Sequence, residues 1–180
     1  MVNLQLDHEH HRQQREQSCQ AQDCHQPTFP LCLIAHDIDV PMNIGSLFRI
    51  ADALGLEKIW LSGTSPQPPN SKIKKTSRSS EKYVAWQYVP EPLALIAQLK
   101  QDGYTIVSLE ITSASIELRQ FAKQPPQKIA LVLGSENAGV SQALLDASDA
   151  TVHIAMRGHN SSMNVANACA IAAFELLRQF

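Results

Sequence analysis

Ile129-Ala130-Leu131-Val132-Leu133-Gly134-Ser135-Glu136-Asn137-Ala138-Gly139 is the stretch that decides the fold. Its first five residues form an unbroken aliphatic run, the pattern of a strand buried on both faces inside a parallel sheet. Two glycines with a carboxylate between them follow, and then a short helical pattern over 140–147. A strand that turns into a helix is part of a βαβ arrangement. The carboxyl end of such a strand is where ligand crevices open. A simple tight turn is the competing reading of the loop.

Outward from this stretch the same alternation recurs. Apolar patterning predicts further strands over 31–35, 58–61, 83–89, 104–109 and 151–154. Helical spacing of Ile44, Leu47, Phe48, Ala51 and Leu54 predicts a helix over 43–54, with Asn43 as its cap and Gly55 ending it. Helices are also expected from Pro92 to 101 and over 163–179. Residues 63–80, with Pro66, Pro68, Pro69 and many Ser, read as a loop, and a polar connection runs through Pro125 and Pro126. Strands separated by helices give an α/β fold: a largely parallel sheet flanked by helices on both faces. Residues 30–180 form this domain. Residues 1–29 are a polar His- and Gln-rich tail, helical at most between Leu6 and Gln17. Its His8, His10, His11, Cys19, Cys24 and His25 match no zinc spacing, so no metal site is expected.

Composition narrows the class. Hydrophobic residues are 44% and charged residues 18% of 180, which suits one globular domain with a real core. A formal charge of −2 gives no global field toward nucleic acid, so an anionic partner must meet a local patch. No apolar run reaches membrane-span length, and Cys32 and Cys169 read as buried free thiols, which together suggest a cytoplasmic protein.

Four segments could carry chemistry. Asn43-Ile44-Gly45-Ser46-Leu47-Phe48-Arg49 pairs a polar residue and a glycine at a helix start with an Arg off the apolar stripe. That Arg suits either a surface ion pair or bidentate binding of phosphate or carboxylate. The loop from Gly134 to Gly139 lacks the Gly-x-Gly-x-x-Gly fingerprint and the Gly-Lys-Ser/Thr of a phosphate loop, which removes the two commonest nucleotide-binding classes. Asn160-Ser161-Ser162-Met163-Asn164 opens the last helix, where free N–H groups and the positive dipole end can hold a ligand or simply be capped. Ile154, Met156 and Met163 could contact the faces of an adenine there, or could be core. Finally, Lys72, Lys74, Lys75, Arg78 and Lys82 fall within eleven residues, opposed only by Glu81, and suit contact with an RNA phosphate backbone.

In this order, Asn43-x-Gly45-x3-Arg49-x-Ala51-x-Ala53-x-Gly55, Leu131-Val132-Leu133-Gly134-Ser135-Glu136-x2-Gly139 and Ser162-Met163-Asn164-Val165 resemble the SpoU (TrmH-like) branch of the SPOUT RNA methyltransferases. The resemblance covers about residues 31 to 180. It implies a SPOUT-type sheet with a C-terminal deep trefoil knot, an exception to the rule against knotted chains. It implies S-adenosyl-L-methionine bound in the knot against Leu109, Gly134, Gly139, Ile154, Met156 and Met163. It implies a homodimer whose site is completed across the interface, and methyl transfer to a ribose 2′-hydroxyl of RNA. Arg49 would activate that hydroxyl, with Asn43, Glu136, Ser162 and Asn164 positioning Arg49, the ribose and the loops. No metal is needed because the sulfonium leaving group is already activated. Met163 stands where the family commonly has Leu. The last helix runs to the end of the sequence, so neither a C-terminal extension nor a separate RNA-binding domain is expected. The target is tRNA or rRNA, with tRNA favoured and no DNA or membrane partner. The alternative is a non-catalytic RNA-binding module that retains the fold.

Overall fold

The computed structural model describes residues 29–122 and 127–178. In chain order the elements are β1 (Phe29–His36), α1 (Pro41–Leu54), β2 (Leu56–Ser62), α2 (Ser71–Ser77), a 3₁₀ turn (Ser80–Lys82), β3 (Trp86–Val89), α3 (Pro92–Gln101), β4 (Thr105–Leu109), β5 (Ile116–Glu117), α4 (Leu118–Phe121), β6 (Ile129–Leu133), α5 (Gln142–Ala147), β7 (Ala150–His153) and α6 (Val165–Leu177). The strands form one seven-stranded sheet in the order β3-β2-β1-β6-β4-β7-β5, with every neighbouring pair parallel.

Successive strand side chains point to opposite faces, so each fully buried strand feeds two cores. Leu31, Leu33 and Ala35 of β1 join Ile129, Leu131 and Leu133 of β6 on one face, under α1 and α6. Cys32 and Ile34 join Ala130 and Val132 on the other, under Leu95, Ile96 and Leu99 of α3 and Leu144 of α5. Phe48 of α1 is fully buried, with Trp86 edge-on at 6.3 Å and 87°. Its burial is worth ~1.5–3 kcal/mol. Ala166, Cys169, Ala172 and Ala173 give α6 a small-residue buried face, which lets α6 pack against α1. The α/β expectation therefore holds, and Gly55, at φ +66, ends α1 as expected.

Several local expectations need correction. Residues 63–80 are not all loop: α2 forms there, with Asn70 accepting N–H bonds from Lys72 and Ile73. The strand predicted over 83–89 begins at Trp86, because residues 80–82 wind into a 3₁₀ turn. The first helix starts at Pro41, so Asn43 lies inside its first turn; Val40 is the N-cap and makes no side-chain cap bond. The last helix starts at Val165 rather than 163, with Asn164 as its cap. β5 and α4 occupy part of the expected polar connection; Pro125 and Pro126 lie outside the described residues. The tail expectation also lies outside them, except for Phe29, which opens β1. Among the described residues no helix is long and apolar enough to cross a membrane.

Candidate functional site

Three chain segments leave the carboxyl ends of β4, β6 and β7, which lie side by side in the sheet. They enclose a pocket of about 550 Å³, lined by residues 109–112, 133–140, 153–154, 156, 161–163 and others. This is the size of a small-molecule site, at the carboxyl ends of parallel strands where such sites occur. Leu109, Gly134, Gly139, Ile154, Met156 and Met163, the expected cofactor contacts, all line it, as do Glu136 and Ser162. Two carboxylates, Glu110 and Glu136, belong to the lining, and no Lys or Arg does. Such a wall favours a cationic ligand over an anionic one.

The loop after β6 is folded back on itself. Ser135 and Gly139 exchange backbone bonds, Ser135 N–H to Gly139 O at 3.1 Å and Gly139 N–H to Ser135 O at 2.8 Å. Gly134 sits so close to this return that a Cβ would stand 2.3 Å from the Gly139 carbonyl and from Val140 N. Gly139 has φ +70, a left-handed conformation that L side chains rarely adopt. The two glycines are therefore required by backbone geometry.

Beside the pocket, residues from all three sequence segments meet. Asn43 Nδ2 donates to Glu136 Oε1, and Asn164 Nδ2 donates to Asn43 Oδ1 at 3.0 Å. Asn164 Oδ1 in turn accepts from Ala166 N at 3.0 Å and caps α6. One carboxamide pair thus ties α1, the glycine loop and the start of α6. Arg49 is not part of this cluster. It lies six residues beyond Asn43, which on a helix is about 9 Å along the axis and about 120° around it. The Arg49 side chain is exposed and makes no hydrogen bond or ion pair with the described residues.

Gly45 does not admit a ligand. A Cβ there would stand 1.9 Å from Thr76 Oγ1 and 2.6 Å from Ile73 O, so the glycine lets α2 pack against α1. Lys72, Lys74 and Lys75 are exposed on α2, with Arg78 and Lys82 exposed just beyond it. The basic run is thus partly helical, and its buried side is Ile73 and Ser77. Cys32 and Cys169 are free and buried. Burial pushes both thiols up to about 12. Among the described residues no group of three or more His, Cys, Asp and Glu could hold a metal ion.

The model of the SpoU rRNA Methylase family matches residues 30–174. This chain belongs to that family. A Staphylococcus haemolyticus protein assigned to the TrmH family of tRNA/rRNA methyltransferases is 29% identical over 147 residues, which are 82% of this chain and 58% of that protein. The chain thus spans less than two thirds of that relative's length. Among solved structures, the SpoU methyltransferase AviRb from Streptomyces viridochromogenes, in complex with the cofactor AdoMet, has a TM-score of 0.74 and 29% identity, covering 84% of this chain and 60% of AviRb. A solved RNA 2′-O ribose methyltransferase has a TM-score of 0.74 and 27% identity, covering 85% of this chain and 57% of its own.

His153, just before Ile154, lines this SpoU pocket too, with Nδ1 3.0 Å from Ser115 Oγ. Glu110 is a lining residue that no sequence motif contains; it accepts from Val140 N at 2.9 Å. The available signal was position: Glu110 stands at the carboxyl end of a predicted strand.

Proposed function

We propose that this SpoU-family chain binds S-adenosylmethionine in the 109–165 pocket and catalyses methyl transfer to a ribose 2′-hydroxyl of RNA. The observation that carries the reading is the convergence at one pocket of the three loops that the family motifs implied. Pocket size, acidic lining and likeness to AdoMet-bound AviRb support the choice of cofactor. When bound, S-adenosylmethionine supplies a methyl group on a positively charged sulfur that is a good leaving group. The chain's part is to hold the reactants in line and exclude water. The folded-back loop offers backbone groups to a purine edge, and Ile154, Met156 and Met163 offer apolar contact to its faces.

Arg49 is the residue assigned to the hydroxyl. A guanidinium is a poor proton acceptor, so Arg49 polarises the hydroxyl while a neighbouring RNA phosphate takes its proton and passes it to water, as the O–CH₃ bond forms and the S–CH₃ bond breaks. Arg49 stands apart from its own chain's Asn43–Glu136–Asn164 cluster, and a homodimer resolves this. Met42, Arg49 and Ala53 form one exposed stripe of α1, at spacings of seven and four. On α6, which packs against α1, Ile171 and Phe174 are 45% and 60% exposed. A second copy seated on these faces would cover that apolar surface and bring Arg49 to the partner's pocket. The exposed lysines of α2 would meet the RNA backbone. The reading includes the family's trefoil knot, a tRNA target in preference to rRNA, and a cytoplasmic location.

Calorimetric titration with S-adenosylmethionine, followed by methyl-label transfer to unmodified tRNA and rRNA, tests the reading. Binding with transfer that Arg49→Ala abolishes supports it. No binding at millimolar cofactor would favour the non-catalytic RNA-binding module, and transfer that survives Arg49→Ala would remove the role given to that residue. Sedimentation of the wild type and Phe174→Glu tests the dimer: a wild-type monomer would contradict it.

A further inference from the structure

Glu110 follows β4 directly, and its backbone N–H donates to Val152 O at 2.9 Å, which fixes it beside β7. Its carboxylate joins two loops. Oε1 accepts from Ile111 N at 2.8 Å, and Oε2 accepts from Val140 N at 2.9 Å. Oε2 also fills the space beside residue 139, where a Cβ would stand 2.3 Å from it. Glycine at 139 is thus needed twice, for its φ and for this carboxylate. The contacts continue in series: from Glu110 to the 134–140 loop, from Glu136 of that loop to Asn43, and from Asn43 to Asn164.

We infer that Glu110 is the positioning residue of the pocket: it clasps the 134–140 loop to the end of β4, and so sets the distance between two pocket walls and the point from which Glu136 reaches Asn43. The inference deepens the cofactor reading above and rests on it. Hydrogen bonds to an ionised acceptor are stronger than neutral ones, which makes a carboxylate the effective clasp. In Glu110→Gln one oxygen remains, and an NH₂ donor faces the other N–H. In Glu110→Ala neither N–H keeps its acceptor.

The test uses the full chain, with hydrogen exchange on the ligand-free protein and calorimetry with S-adenosylmethionine. Both variants should exchange about tenfold faster at residues 134–141, with residues 29–36 unchanged. The cofactor dissociation constant should rise about tenfold in Glu110→Gln and further in Glu110→Ala, with RNA affinity unchanged. Glu117→Gln, an exposed charge change on β5 outside the pocket, should match the wild type. A folded Glu110→Gln with wild-type exchange at 134–141 and wild-type cofactor affinity would overturn the inference, as would acceleration spread evenly over the sheet. If Glu110→Ala fails to fold, Glu110→Gln decides. If the wild type itself does not bind S-adenosylmethionine, the cofactor reading falls, and the exchange measurement still decides the clasp.

Discussion

Gly134→Ala puts a methyl group where the chain has no room for one. The new Cβ would lie 2.3 Å from Gly139 C, Gly139 O and Val140 N, against ordinary contact at 3.4 Å. All three are backbone atoms, so no side chain can swing aside, and the return strand of the loop must move by ~1 Å. That movement pulls on the two Ser135–Gly139 bonds and on the Val140 N–H bond to Glu110. Overpacking of this kind costs ~1–3 kcal/mol, and each weakened bond adds up to ~1 kcal/mol. The loop lies at the carboxyl end of β6, beyond the sheet, with Glu136, Asn137 and Ala138 exposed, so it can recoil outward without opening the core. The cost then falls on the ligand, which needs the loop in its original place. A loss of about 2–3 kcal/mol corresponds to cofactor affinity reduced about 30- to 150-fold. Calorimetry with S-adenosylmethionine measures this directly, with thermal unfolding as the check on the fold. Gly158→Ala is the matched control, because a Cβ there meets nothing within 4 Å. Wild-type affinity in a folded Gly134→Ala protein would refute the reasoning about the loop.

Asn164 does two jobs that substitution can separate. Asn164→Asp keeps the cap on Ala166 N but loses the donor to Asn43, so methyl transfer should fall while the unfolding midpoint holds; Asn164→Ala should also cost ~1 kcal/mol of stability. Equal activity in both variants and the wild type would dismiss the cluster. For the thiols, Cys32 and Cys169 are raised by burial from 9.0 to about 12. The unfolded chain therefore holds fewer protons between these values. Stability should be unaffected by these groups below about pH 9 and decline as pH rises from 9 toward 12, which urea unfolding across that range would detect. Reversing Lys72, Lys74 and Lys75 to Glu should weaken RNA binding and flatten its salt dependence by ~0.7 in log–log slope per lost single-strand phosphate contact, with cofactor affinity unchanged. An unchanged slope would take α2 out of the RNA interface.

The parallel sheet was legible because its central strands are doubly buried. In β1 and β6 both alternate sets are apolar, a pattern that survives without any tertiary information. α2 was not legible. Its seven residues bury only Ile73 and Ser77, and the prolines before it read as loop. What holds α2 is a tertiary fit, Thr76 and Ile73 against Gly45, which no local pattern reveals. Pro41 is the first residue of α1, whereas Asn43, a cap by its residue type, has its amide committed to Glu136 and Asn164. The pocket lining was readable where it coincided with motif residues. Glu110 was not, because its role depends on β4 lying beside β6 in the sheet, an adjacency absent from chain order.

The most direct test of the account is the chemical position of the transferred methyl group. After incubation with S-adenosylmethionine and unmodified tRNA, nuclease digestion and mass spectrometry should yield a 2′-O-methylribonucleoside whose linkage resists alkali, since no free 2′-hydroxyl remains to attack the phosphate. A methyl group on a base, or no incorporation into tRNA or rRNA by protein that binds the cofactor, would contradict it.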